Sequence, residues 1–155
     1  MTISASNPID QKFMRGALQE AKKAALKGEV PIGAVIVKDG KIIARGHNQR
    51  EQNQSVLAHA ELIAIKKAEK RLGSWRLEDC SLYVTIEPCP MCAGAIIQSR
   101  IKRVVYGARE PKFGAHESIV RLFGHPFNHH VDVVGGVLKE KASELMKDFF
   151  RTLRE

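Results

Sequence analysis

The sequence predicts a three-layer α/β/α domain built on a central mixed sheet of about five strands. Three observations predict it. Short β-branched segments alternate with helical patterns along the chain. The stretches between the later strands have the character of crossover helices, which cover a sheet on both faces. A length of 155 residues with 44% hydrophobic content suits one continuous core. Residues 1–155 are therefore read as a single domain, with residues 1–8 as a polar tail and 139–155 as a C-terminal helix.

The elements follow in order. Phe13, Ala17, Ala21, Ala24 and Ala25, set among Lys and Glu, predict an amphipathic helix over 9–26 that Gly28 stops. Residues 32–37 and 42–44 are β-branched strands joined by Lys38-Asp39-Gly40-Lys41, and Asp-Gly between such runs signals a hairpin. A second helix is expected over 59–72, ended by Gly73. Strand 82–86, a short helix over 92–99 and strand 104–107 come next. Residues 108–128 contain Pro111, Gly114, Gly124 and Pro126 and predict a long functional loop. A last strand over 131–134 precedes a helix over 138–153, whose apolar positions are 138, 142, 145, 149 and 153; one of Phe149 and Phe150 is expected in the core.

Composition narrows the function. Lys plus Arg outnumber Asp plus Glu by 25 to 17, for a net charge of +8 that favours polyanionic partners. The apolar runs are too short to cross a bilayer. The first ten residues lack the basic cluster and apolar stretch of a secretion signal, so a cytoplasmic location is expected. Three cysteines, two of them three positions apart, fit metal binding better than a disulfide framework.

Pro88-Cys89-Pro90-Met91-Cys92 lies where a strand gives way to a helix, so both sulfurs fall on one face of the first turn and can grip one ion. The helix N-terminus also favours the thiolate form. Taken alone, the string is equally readable as a redox pair or as two small buried residues. His59-Ala60-Glu61 shifts the balance. Glu61 heads an apolar stripe through Ile65, Ala68 and Leu72, and a carboxylate on a buried face needs a charged or hydrogen-bonding partner. One His and two Cys leave the fourth tetrahedral position of zinc open, the arrangement of a catalytic site. Cys80 is too far along its strand to fill that position. A metal-activated water with a glutamate to move its proton is the chemistry of hydrolytic deamination.

H-x-E followed by P-C-x-x-C resembles the signature of the zinc nucleobase deaminases, whose fold is cytidine deaminase-like. The chain is similar over nearly its whole length to the bacterial tRNA-specific adenosine deaminases. Glu29 to Val35, His47-Asn48, Tyr106 to Arg109, Phe127 to His129 and Phe149 to Arg151 carry that likeness. The resemblance implies one zinc per subunit on His59, Cys89 and Cys92, a tRNA anticodon stem-loop as substrate, and a homodimer. It further implies attack at C6 of an extruded wobble adenosine, with Glu61 as proton shuttle, giving inosine. Asn48, the backbone around Ala60, Glu29 and Pro88 would hold the target nucleotide. Glu110 and Lys112 of the long loop, with Arg109 and His125, would meet the anticodon loop, as would Phe150, Arg151 and Arg154 near the C-terminus. Glu110 stands where the family commonly has Asp, and residues 55–58 lack its usual Asp-Pro-Thr. The same zinc chemistry on free guanine or cytosine is the rival enzyme reading, and an RNA-binding scaffold with a structural zinc is the rival of another class.

Overall fold

The computed structural model describes residues 7–154. Most of the expected tail, residues 1–6, and the final residue of the expected C-terminal helix therefore lie outside the described residues. Asn7 and Pro8 belong to the first helix instead of the tail. The Asn7 side chain accepts the amides of Ile9 and Asp10, at 2.9 and 3.2 Å, and Pro8 occupies a first-turn position where its missing N–H costs nothing. This helix, α1 (Pro8–Leu26), packs its Phe13, Met14, Ala17 and Leu18 onto the sheet.

Strands β1 (Gly33–Lys38) and β2 (Lys41–His47) form the expected hairpin. Asp39 and Gly40 both have positive φ, 52° and 74°, so the two-residue connection has the twist that antiparallel strands require. β2 runs on to His47, three residues beyond the expected end. A one-turn helix, α2 (Arg50–Asn53), follows without any counterpart in the sequence reading. Then come α3 (Ala60–Leu72), β3 (Cys80–Ile86), α4 (Pro90–Gln98), β4 (Arg103–Ala108), a 3-10 turn over Leu122–Gly124, β5 (Asp132–Val134) and α5 (Lys139–Arg154).

The strand order is β2-β1-β3-β4-β5. β1 is antiparallel to both β2 and β3, whereas β3, β4 and β5 are mutually parallel, so the sheet is mixed as expected. Side chains alternate across it. Ala34, Ile36, Leu82, Val84 and Val104 meet α3 and α4 on one face, while Val35, Val37, Tyr83 and Val105 meet α1 and α5 on the other. On the α1 face Asp10 accepts from Tyr83 Oη at 2.7 Å and from both terminal nitrogens of Arg103, at 2.8 and 2.6 Å. Burial alone would push the Asp10 carboxyl up; these hydrogen bonds outweigh it and hold it below the usual range.

Helix and hairpin approach very closely at Gly46. A Cβ there would lie 2.5 Å from the Ala60 carbonyl oxygen and 2.9 Å from the Ala64 nitrogen, so only glycine lets β2 pass under the start of α3.

The apolar stripe expected to bury all of α5 holds for only half the helix. Ala142 is buried and Leu145 and Met146 pack against the core, but Leu153 is 63% exposed and Phe150 40% exposed. Phe149 is half-buried and meets Phe150 edge-on at 5.3 Å, so neither phenylalanine joins the core. The helix packs on β4, β3 and α1, and its last turns carry their apolar side chains past that support.

Candidate metal centre

Two helix N-termini meet on the same face of the sheet. His59 is the N-cap of α3 and Cys89 the N-cap of α4, both in extended backbone conformation, and Cys92 sits one turn into α4. The helices were expected to begin at 59 and 92; they begin at Ala60 and Pro90, so both leading ligands stand just outside regular helix with free side chains. Neither makes a side-chain capping bond, which leaves the donors aimed at each other. His59 Nδ1 lies 3.7 Å from Cys89 Sγ and 3.4 Å from Cys92 Sγ. Among the described residues this is the one group of three or more such side chains placed to hold a metal, with its ligand atoms within 4.8 Å of one another.

The donor set fits zinc. A tetrahedral ion with Zn–S near 2.3 Å and Zn–N near 2.0–2.1 Å separates its nitrogen and sulfur ligands by about 3.6 Å, between the two distances observed. Cys80 is not among the donors: it is fully buried at the start of β3 within the core. Cys89 lies well below the ordinary thiol range, at about 4, chiefly through its hydrogen bond from Cys92, with His59 adding to the effect against burial. Cys92 moves the other way, because its hydrogen bond to Cys89 and its burial both favour the thiol. His59 is raised, first by its hydrogen bond with Cys89. The hydrogen bond between the two cysteines thus favours the thiolate on Cys89 and the thiol on Cys92.

Glu61 follows one residue inside α3 and is 4% exposed. Burial pushes its carboxyl up to about 7, with the Cys89 charge reinforcing the shift. A carboxyl poised there exchanges protons readily near neutral pH.

The other expected residues fall into two groups. Asn48, Ala60, Glu29 and Pro88 are buried, Ala60 and Pro88 next in sequence to His59 and Cys89. Asn48 Oδ1 accepts from the Arg50 amide at 3.0 Å and its Nδ2 donates to the Val30 carbonyl at 3.3 Å. Both Glu29 oxygens are engaged by backbone amides at the start of α2, from Glu51 at 3.0 Å and Gln52 at 2.6 Å. Glu29 therefore caps α2 and braces the segment that carries Asn48. Lys112, Arg109, His125, Phe150, Arg151 and Arg154 are exposed, and Glu110 is half-buried. Arg109 pairs with Glu117 at 3.4 Å and Arg151 with Asp148.

Glu87 escaped the sequence reading. It lies between the end of β3 and Pro88, 2% exposed, and accepts four backbone amides and one hydroxyl from residues 110–118. Burial alone would push it up, but the bonds from Ser118, Glu117 and Glu110 take it down to about 2. A carboxylate following the apolar run of β3 was the available signal, of the same kind that drew attention to Glu61.

A metal held by three side chains with a buried carboxylate at hand is the apparatus of hydrolytic deamination, and with this strand order it defines the class: a zinc-dependent deaminase of cytidine deaminase-like fold. A family model described as MafB19-like deaminase matches residues 9–154. The tRNA-specific adenosine deaminase of Bacillus subtilis is 53% identical over 147 residues, spanning 94% of this chain and 91% of that protein. A solved structure from a study of A-to-I editing by tRNA:A34 deaminases superposes with a TM-score of 0.83 at 49% identity, covering 86% of this chain and 98% of its own. A guanine deaminase structure from Bacillus subtilis is 38% identical, with a TM-score of 0.62 over 76% of this chain and 85% of its own. The chain belongs to the MafB19-like deaminase family, among its tRNA-specific adenosine deaminases.

Proposed function

We propose that this enzyme converts the wobble adenosine of a tRNA anticodon to inosine in the cytoplasm, using zinc on His59, Cys89 and Cys92 and Glu61 as proton shuttle. The observation that carries the chemistry is the buried Glu61 carboxyl, two residues from His59 of the clustered His59, Cys89 and Cys92. Identity of 53% across 91% of a tRNA-specific relative supports the choice of substrate. When bound, zinc lowers the pKa of a coordinated water toward neutrality. The Glu61 carboxylate takes one proton of the attacking water and delivers it to N1 of the ring. It then takes the remaining proton from the new C6 hydroxyl and passes it to the amine, so that C6 gains a C–O bond, loses its C–N bond and releases ammonia. Ala60 and Pro88 wall the base, and Asn48, braced through Glu29, orients the nucleotide. Glu110, Lys112, Phe150 and Arg151 meet the anticodon loop, where aromatic stacking and cationic contacts to phosphate are the usual means of recognition.

A free purine is the second reading, favoured by the 38% identity to a guanine deaminase. A net charge of +8 weighs against it, since a free base offers no phosphate. Incubation with an anticodon stem-loop bearing adenosine at the wobble position should yield inosine; deamination of guanine with the RNA left intact would refute the tRNA reading.

The working unit we propose is a homodimer. An open groove of about 910 Å3 runs along α3 and α4, lined in part by Leu57, Trp75, Pro90, Met91 and Ala95. Leu57 and Trp75 are 62% and 52% exposed, an apolar surface that a second copy would cover. Sedimentation should give the mass of a dimer, and monomer alone at working concentration would remove this part of the proposal. No helix among the described residues is long and apolar enough to cross a membrane.

A further inference from the structure

The loop after β4 contains little regular structure, yet one side chain gathers it. Glu87 Oε1 accepts the Glu110 amide at 3.0 Å and the Ser118 hydroxyl; its Oε2 accepts the amides of His116, Glu117 and Ser118 at 3.0, 2.9 and 3.1 Å. The neighbouring Pro88 carbonyl accepts the Ala115 amide at 2.8 Å, and the Glu87 amide itself donates to the Ala108 carbonyl at 2.8 Å. The loop is thus strapped to the two residues that precede the metal-binding Cys89, and it holds Glu110 and Lys112. Gly114 lies against the carboxylate so closely that a Cβ there would meet Cδ, Oε1 and Oε2 at 2.4 Å. Those atoms are pinned by five hydrogen bonds and cannot swing aside without breaking them.

We propose that Glu87 is a positioning residue for RNA recognition: its carboxylate fixes the 110–118 loop as a preformed docking surface, while the proton chemistry at Glu61 proceeds without it. A loop already ordered before binding spares the complex the entropy of ordering it, so loosening the loop weakens docking more than turnover. Only the carboxylate suits the position, because every partner is a donor. A glutamine would keep one acceptor oxygen and turn an NH2 group toward the remaining N–H groups.

This inference rests on the tRNA reading, and the experiment separates the two. Glu87→Gln is compared with wild type on the wobble-adenosine stem-loop, with zinc content and amide hydrogen exchange measured on the same preparations. Expected are a KM raised about tenfold or more, kcat within about threefold, and unchanged zinc. Exchange should be faster across residues 110–118 but not across 89–98. Gly114→Ala, which displaces the carboxylate from the opposite side, should reproduce the pattern and carries the test if Glu87→Gln does not fold. A parallel fall in kcat, a loss of zinc, or unchanged exchange over 110–118 would overturn the proposal. Should wild type deaminate no RNA at all, the tRNA reading fails, and the exchange measurement still decides whether Glu87 holds the loop.

Discussion

The metal centre and the rim around it are built on opposite principles. His59, Glu61, Cys89 and Cys92 sit at the starts of two helices, one layer deep on a sheet, and apart from the half-buried His59 and Cys89 they are buried. Lys112, Phe150 and Arg151 stand exposed on a loop and on helix turns that have outrun their support. The residues of the chemistry are fixed by regular structure, whereas those proposed for recognition stand on helix turns past their support and on a loop held by the Glu87 carboxylate instead of by helix or strand. The difference teaches that the two functions can be damaged separately.

The largest expected effect lies at the centre. Glu61→Ala should lower inosine formation by about 10²–10⁴-fold or more, as loss of a general acid–base group does, while zinc content and RNA binding stay near wild type. A variant that lost RNA binding equally would break the separation between centre and rim.

Scaffold changes come next and should touch stability alone. Asp10→Asn removes the charge that Arg103 and Tyr83 meet on the far face of the sheet, and should cost about 2–4 kcal/mol in urea unfolding at neutral pH. Because the Asp10 carboxyl is depressed in the folded protein, its contribution is complete above the unfolded value near 4 and is lost as pH falls through the folded one. The gap between wild type and Asp10→Asn should therefore narrow below about pH 4 and stay constant from pH 6 to 8. A gap that widened in acid would contradict this ion pair.

At the rim the effects are smaller and confined to affinity. Phe150→Ala should weaken stem-loop binding by about 1–3 kcal/mol if the ring stacks on a base, with single-turnover rates at saturating RNA unchanged. Unaltered affinity would show that the exposed ring is not part of the docking surface.

How much of this was legible in the sequence follows the same division. The metal ligands could be read because their placement depends on short spacings: three residues inside the C-x-x-C, two from His59 to Glu61, and a strand-to-helix junction marked by Pro88 and Pro90. The sheet and its layers could be read because short, almost wholly buried runs such as β1, β3 and β4 are separated along the chain by helical patterns that cover both faces. Glu87 offered only its place after the β3 run, since its partners lie 23 to 31 residues further on and all but the Ser118 hydroxyl are backbone amides, which leave no trace in side-chain pattern. Glu29 was noticed as a substrate contact, but its hydrogen bonds to α2 depend on a one-turn helix too short to show periodicity. The α5 stripe was correct in phase and wrong in reach, because a 3.6-residue repeat says which way a helix faces and nothing about where the layer beneath it ends.

The contact at Gly46 turns the hairpin into a machinist's shim beneath one half of the centre. A methyl group inserted there would lift the head of α3, and His59 and Glu61 would ride up together, while the cysteines on α4 stayed seated. The three clustered side chains would be pulled apart along the seam between two helices, by a residue that is not one of them.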